Sequence, residues 1–399
     1  MIQPPGFKFT PDGQKDDGEY VLKLQKSLYG LKQSPLVWNE TLNKEFLKQG
    51  FKRAINEPCI YYKGEGKNAL LVGVYVDDML IVGANQKQID KVKKDLSNRF
   101  EMKDLGPVKK FLGINVLHGK DFRVLHLSDY IDSILRDYGM LNCNGVNIPI
   151  PPKDLDANLE DDNEPCDQKE YRSIIGKLLY AANCVRFDIN YVVLRLSRYL
   201  SDPREKHMRA AKRVIRYLLK TRTYGIVCLS NSQKELTCFC DANFASESDA
   251  DCRSTTGSFI TYADIPVSWK SKLQTMVAVS TLNSELVSLF YTTCEAVWLQ
   301  NLLAELGLSN NCYILCDNQG AIKTIKNGSL LQGSKHIRVK AHFVKQNVEL
   351  RNMSLSYIST KDNIADIFTK ALPFATFDHL RLLGSLREIP AEGVLEHNT

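Results

Sequence analysis

Two adjacent carboxylates, Asp77 and Asp78, sit inside Leu70-Leu-Val-Gly-Val-Tyr-Val-Asp-Asp-Met-Leu-Ile-Val-Gly83, a run that is apolar on both sides of them. Segments of this length rich in Val, Ile and Tyr suit a pleated surface, so two buried strands are expected, with the acids at the hairpin turn. Ionised carboxylates so flanked are costly unless they reach solvent or a cation. A solvated Asp-Asp turn and a cation site are both open readings at this point. Four further acids stand at the edges of apolar patterns. Asp241 ends Leu236-Thr-Cys-Phe-Cys-Asp241 and Asp317 ends Cys312-Tyr-Ile-Leu-Cys-Asp317, while Glu285 lies early in a long helical pattern and Asp366 heads another. Taken singly, each has an ordinary explanation as a solvated strand end, an exposed helical turn, a helix cap or a favoured acid at a helix N-terminus.

The 399 residues allow two or three domains, each with its own core. An apolar fraction of 44% and a charged fraction of 25% are those of a soluble globular protein. Met1-Ile-Gln-Pro-Pro-Gly has neither a charged nor an apolar leader region, and no apolar span is long enough to cross a bilayer, so no membrane partner is expected. The eleven cysteines include no CxxC pair and read as reduced, mostly buried thiols of an intracellular protein rather than a structural zinc site. The net charge of +6 is segregated. Residues 151–170 carry eight acids against Lys153 and Lys169, which leaves the rest of the chain at +12. A basic body with one acidic, Pro-containing linker points to a polyanionic partner.

The acids must be positioned by the elements around them. Residues 1–19 read as an irregular arm and 21–28 as a short alternating stretch. A helix follows from Pro35 towards Gly50, with Leu42 and Phe46 at helical spacing. A second helix is expected over 86–100, a hairpin over 110–117, a short helix over 127–139 that stops at Gly139, and a helical pair over 171–200. The helix expected over 203–222 has Ala211, Val214 and Leu218 on one side and Lys206, Arg209, Arg213, Arg216 and Lys220 on another. From residue 235 the order is β-β-β-α-β-α-α-β-α, with strands at 236–241, 257–262, 267–271, 312–317 and 355–358, helices over 282–306 and 337–350, and a last helix from about Ile364. Beyond Pro373 there is no clear pattern. The whole is a mixed α+β and α/β chain.

Several of these runs carry a specific likeness. Lys23-Leu-Gln-Lys-Ser-Leu-Tyr-Gly-Leu-Lys-Gln-Ser-Pro35 with Trp38, Tyr75-Val-Asp-Asp78, Phe100-Glu-Met-Lys-Asp-Leu-Gly106 and Phe111-Leu-Gly-Ile114 resemble, in order and spacing, the reverse transcriptase of copia-type LTR retrotransposons. The resemblance implies a partial polymerase palm and start of thumb over 20–150, an acidic linker over 151–170 and a helical thumb or connection over 171–230. By it, Gln33, Ser34 and Pro35 position template and nucleotide, Phe111, Leu112 and Gly113 grip the primer, and Asp77 and Asp78 are polymerase carboxylates. The basic helix face then becomes a contact for template phosphates. In the family a third aspartate comes from a strand ahead of the Gln-Pro-Pro-Gly-Phe segment. Asp12, Asp16 and Asp17 are not in an apolar strand, so an incomplete polymerase, inactive by itself, is expected.

Asp241, Glu285, Asp317 and Asp366 likewise match the acidic series of the ribonuclease H fold. The flanking runs Arg253-Ser-Thr-Thr-Gly257, Ser268-Trp-Lys-Ser271, Cys316-Asp-Asn-Gln319, Ser334-Lys-His-Ile337 and Ala365-Asp-Ile-Phe-Thr-Lys370 resemble the copia-type version over 235–373, with 374–399 as a tail. The resemblance implies two Mg2+ ions, with Mn2+ as the alternative, that cleave RNA in RNA–DNA hybrids. His336 and His342 are candidates for proton or product handling or structural histidines. Asn283, Leu286 and Phe244 depart from the usual residues. The expected partners are RNA, DNA, their hybrid, deoxynucleotides where the polymerase is whole, and other parts of a Pol polyprotein. The expected location is cytoplasmic particles or the nucleus. The rival expectation is a degenerate remnant or co-opted protein that binds nucleic acid without turnover.

Overall fold

Residues 34–99 build a four-stranded meander with two α-helices. In this computed structural model the described residues are 2, 6, 21–152, 164–230, 232–245, 252–327 and 335–389. Most of the arm at 1–19, with Asp12, Asp16 and Asp17, most of the acidic strip, Ser334 and the last ten residues lie outside them. Two compact units are present, residues 1–104 and 105–399.

In the first unit, α1 (Ser34–Lys48) starts with Pro35 in its first turn, where a missing N–H costs nothing. Strands β1 (Lys52–Arg53), β2 (Ile60–Lys63), β3 (Leu70–Tyr75) and β4 (Asp78–Gly83) pair antiparallel in sequence order. Helix α2 (Gln86–Arg99) is capped by Asn85, whose side chain accepts from Lys87 N at 3.0 Å. Phe46, Tyr61, Val72 and Leu96 meet in the core between helices and sheet. The expectation of two buried strands holds for β3 only. β4 ends the sheet and leaves Asp78 and Val82 exposed. The alternating stretch at 21–28 forms no strand, and Val21 makes an isolated bridge with Ile2.

The second unit opens with β5 (Lys110–Phe111), β6 (Ile114–His118), β7 (Phe122–His126) and α3 (Ser128–Asp137). Then come α4 (Gln168–Cys184), α5 (Asn190–Leu196), α6 (Glu205–Lys220) and β8 (Tyr224–Leu229). α6 follows the helical period, burying Met208, Ala211, Val214, Ile215 and Leu218. Next are β9 (Leu236–Asn243), β10 (Thr255–Tyr262), β11 (Ile265–Leu273), α7 (Thr281–Glu305), β12 (Cys312–Cys316), α8 (Gln319–Asn327), α9 (Lys335–Leu350) and β13 (Met353–Tyr357). The chain closes with α10 (Phe374–Leu383) and β14 (Leu386–Glu388).

These strands form two sheets. One runs β11-β10-β9-β12-β13, antiparallel as far as β9 and parallel from β9 to β13. Alternation along β9 sends Leu236, Cys238 and Cys240 into a core with α7, α8 and α9, and sends Phe239 to the opposite face. There Phe239, Phe259 and Phe368 pack with Phe187, so the helices α3–α6 share a core with the mixed sheet. The other sheet is antiparallel, β14-β8-β7-β6-β5.

Three differences from expectation stand out. The boundaries expected at 151–170 and near 231–234 do not separate cores, because Phe187 and Trp269 join the helical part to the sheet; Trp269 Nε1 donates to Ala182 O at 2.8 Å. The helix expected from Ile364 is a 3-10 turn, Ile364–Phe368, and the α-helix starts at Phe374. The expected tail contributes that helix and β14, and β14 pairs with β8.

Candidate metal centre

Four acids reach one place from four elements. Asp241 lies near the end of β9 on the Phe239 side, and Asp317 directly follows β12, whose Cys316 is in register with Cys240 of β9. Parallel neighbours in register therefore bring both carboxylates to the same, carboxyl-terminal end of the strands. Glu285 comes from the first turns of α7, and Asp366 from the 3-10 turn that packs on β9 and β10. Gly257 lets that turn approach: a Cβ there would stand 2.6 Å from Ala365 O and from Thr369 Cγ2. Among the buried α7 residues, Ser284, Ser288 and Thr292 are small, polar and fully buried, beside Leu286 and Leu289 of the sheet core. Ser288 Oγ donates to Asp241 O at 2.7 Å and ties the helix to the strand beside the acid.

Ligand oxygens of Asp241, Asp317 and Asp366 lie within 4.8 Å of one another. Glu285, Asp317 and the Cys316 thiol form a second group of the same tightness. Asp317 Oδ2 accepts from Thr360 Oγ1 at 2.8 Å, and Asp241 Oδ2 accepts from the Thr369 hydroxyl. Lys370 Nζ lies 2.9 Å from Asp366 Oδ2 and 4.0 Å from Asp241 Oδ2. Burial opposes its charge, yet the neighbouring carboxylates outweigh burial and raise its pKa. Glu285 Oε2 and Asp366 Oδ1 are buried without a hydrogen-bond partner. Crowded carboxylates with unpartnered buried oxygens fit a hard divalent cation.

Burial, followed by Asp241, Cys316 and Asp317, pushes the Glu285 carboxyl up to about 10. Burial and Asp241 push Asp366 up to about 7, against the pull of Lys370. Asp317 is also raised by burial and Asp241, opposed by the Thr360 hydroxyl. Folded pKa values above the unfolded ones mean that stability is fully present below about pH 4 and is lost as pH rises through the raised values. Without metal, the stability advantage of the wild type at pH 5 over pH 8 is thus expected to exceed that of Asp366→Asn. The difference is on the order of a few kcal/mol, and Mg2+ at pH 8 shrinks it. Thermal melts of both proteins with chelator and with Mg2+ measure it; equal pH dependence in the two would contradict the assignment.

The remaining candidates are placed as follows. Val76 and Asp77 link Tyr75 to its partner Asp78, and Val76 has φ 53, a costly conformation for a β-branched residue. Trp38 Nε1 donates to Val76 O at 2.8 Å, and Tyr29 OH donates to Asp77 Oδ2 at 2.9 Å, which raises the tyrosine pKa. Gln33 and Pro35 are exposed at the start of α1, and Ser34 Oγ donates to Leu28 O at 2.7 Å. Leu112 and Gly113 make the β5–β6 turn, both with positive φ; Tyr180 OH donates to Leu112 O at 2.5 Å and fills the space a Cβ on Gly113 would need. Phe111, beside them, is half-buried. On α6, Arg216 Nε donates to Asn144 O at 2.7 Å and Lys220 Nζ to Asn147 Oδ1 at 2.5 Å, so these two cations hold the 144–147 segment. Lys206 and Arg213 are half-buried and Arg209 is exposed. His336 and His342 are exposed on α9, and among the described residues neither joins a metal-holding group of three.

Sequence reasoning passed over Cys316, Thr360, Thr369 and Lys370. The i,i+4 spacing of Asp366 and Lys370 is a usable signal. Thr360 carries none, because its partner lies 43 residues away.

The family model described as reverse transcriptase (RNA-dependent DNA polymerase) matches residues 1–152. The retrovirus-related Pol polyprotein from transposon TNT 1-94 of Nicotiana tabacum is 36% identical over 387 residues, 95% of this chain. This chain spans 29% of that polyprotein's length. A putative transposon Ty5-1 protein of Saccharomyces cerevisiae is 36% identical over 298 residues, which are 73% of this chain and 94% of that protein. A solved foamy viral protease-reverse transcriptase in complex with RNA/DNA hybrid aligns over 84% of this chain and 39% of its own, with 16% identity and a TM-score of 0.48.

Proposed function

This chain belongs to the copia-type retrotransposon Pol family, and from that premise we propose that residues 236–373 hydrolyse the RNA strand of RNA–DNA hybrids, with divalent cations held by Asp241, Glu285, Asp317 and Asp366. One observation carries the reading: four acids from four elements converge, and two of their buried oxygens have no partner. Mg2+ suits the hard carboxylate oxygens best, with Mn2+ as the alternative. Bound cations would supply an activated water and neutralise charge on the leaving oxygen. The chain's own part is positioning. Thr360 and Thr369 fix Asp317 and Asp241 by hydrogen bonds, and Ser288 fixes the strand beneath. Lys370 balances the carboxylates beside it.

Residues of both units carry the polymerase side of the reading. Asp77 and Asp78 are a polymerase carboxylate pair, aimed by Tyr29 and Trp38. Gln33 to Pro35, Phe111 to Gly113, and Lys206, Arg209, Arg213, Arg216 and Lys220 are nucleic-acid contacts, the last two with one donor each already bonded to the 144–147 segment. Among the described residues no metal-holding group contains Asp77 or Asp78. As the family resemblance implies, DNA synthesis by this chain alone is not expected. The free thiols support a reducing compartment, in cytoplasmic particles or the nucleus.

The test is incubation of the full chain with a labelled RNA–DNA hybrid and Mg2+, beside an Asp317→Asn variant. Cleavage of the RNA strand by the wild type alone is expected. Equal, absent cleavage with salt-sensitive hybrid binding would instead make this a non-catalytic nucleic-acid binder. Primer extension by residues 1–399 would overturn the expectation for the polymerase side.

A further inference from the structure

Beside the oxygen ligands lies a thiol. Cys316, the last residue of β12, is fully buried, and its Sγ is within 4.8 Å of ligand oxygens of both Glu285 and Asp317. Its position follows from the register: Cys316 pairs with Cys240, one residue before Asp317 and Asp241 respectively. Asn318 N donates to its Sγ at 3.4 Å, which holds the side chain towards the start of α8. The second observation is Glu285 Oε2, almost fully buried and without a hydrogen-bond partner. One sulfur and two carboxylates within a single ion's reach are a mixed donor set. Oxygen-only sites suit Mg2+, whereas thiolate adds affinity for softer cations.

We propose that Glu285, Cys316 and Asp317 form a thiophilic cation site that takes Zn2+ or Cd2+ in preference to Mg2+. On binding, the Sγ–H bond gives its proton to solvent as the metal–sulfur bond forms, and each carboxylate lends one oxygen. No oxidant or reductant is involved. Glu285 and Asp317 are then withdrawn from the Mg2+ set, so such a cation inhibits hydrolysis. The binding half stands without the proposed hydrolysis; the inhibitory half rests on it.

Cadmium tests the binding directly through the ultraviolet thiolate-to-cadmium charge-transfer band. The protein is the full chain with its two exposed cysteines removed, Cys59→Ser and Cys252→Ser. Titration with Cd2+ in excess Mg2+ is expected to develop a band whose tightest phase disappears in Cys316→Ser and survives in Cys240→Ser. Glu285→Gln is expected to weaken that phase about tenfold. Far-ultraviolet circular dichroism confirms folding, and Cys316→Ala replaces the serine variant if serine unfolds the strand. In hybrid cleavage with Mg2+, the half-inhibiting Zn2+ concentration should rise at least about tenfold in Cys316→Ser. Matching titrations with and without Cys316, or a tightest phase that follows Cys240, would overturn the site. Cleavage that stays equally zinc-sensitive would overturn the inhibition. If no protein cleaves, the function proposed above fails while the cadmium band still decides this one.

Discussion

Asp241→Asn is expected to lower hybrid cleavage by about 10³-fold or more, a loss of roughly 4 kcal/mol of transition-state stabilisation, while making the metal-free protein more stable. Both halves follow from one position. Asp241 is almost fully buried and shares its group with Asp317 and Asp366, and it contributes to the raised pKa of Glu285, Asp317 and Asp366 alike. Asparagine keeps the shape, and its oxygen can still accept from Thr369, but it brings no charge to a divalent cation. Removing that charge also relieves repulsion among the remaining acids. With chelator at pH 8 the variant should therefore melt a few degrees above the wild type, and added Mg2+ should raise its melting point less. Cleavage within tenfold of wild type would sink the role, and a lower metal-free melting point would sink the electrostatic account.

Asp188→Ala is expected to cost about 3–5 kcal/mol of stability, because it strands a buried cation. Arg186 is fully buried and pairs bidentately with Asp188, Nε to Oδ1 at 3.0 Å and Nη2 to Oδ2 at 2.7 Å. Its other donors go to Thr221, Nη1 to O at 3.0 Å and Nη2 to Oγ1 at 2.6 Å. Tyr217 OH donates to Asp188 Oδ2 at 2.6 Å, and the guanidinium lies 5.4 Å from the Tyr217 ring centroid. Every partner of the pair is thus inside the fold. Urea unfolding should show a lower midpoint at an unchanged slope. Replacing both charges, Arg186→Met with Asp188→Leu, should recover much of the loss, since no buried charge is left alone. A single-variant cost under about 1 kcal/mol would show that water reaches Arg186. Phe187 lies between these two residues and packs on Phe259 and Phe368, so the network also steadies the turn that carries Asp366.

Asp241 and Asp317 were legible because each ends a short apolar strand, and a parallel pair in register does the rest. Glu285 was legible as an acid early in a long helix. The burial of Ser284, Ser288 and Thr292 is not legible, since small polar residues give no apolar signal until a strand is placed against them. Asp366 was found with the wrong element around it, because a five-residue 3-10 turn leaves no period to detect. Strands β7 and β8 were missed, and so was β14, whose three residues depend wholly on a distant partner. The α6 cations are legible as one side of a helix, yet only the fold shows that Arg216 and Lys220 bond to Asn144 and Asn147. Contacts between remote segments, rather than local propensity, account for these gaps.

The pairing of β14 with β8 bears on how the second unit is made. Thr223 Oγ1 donates to Glu388 Oε1 at 3.4 Å across 165 residues of chain, and Arg381, itself held by Asp378, donates to Leu386 O. On a ribosome, the sheet begun by β5 to β8 keeps a bare edge until residue 388 has emerged. A premature stop codon shortly before residue 374 would spare all four acids of the metal centre and still leave that edge open. A protease cut between β8 and β9 would release neither part, because the last strand holds both together. β14 thus acts as a lock on strands synthesised long before it.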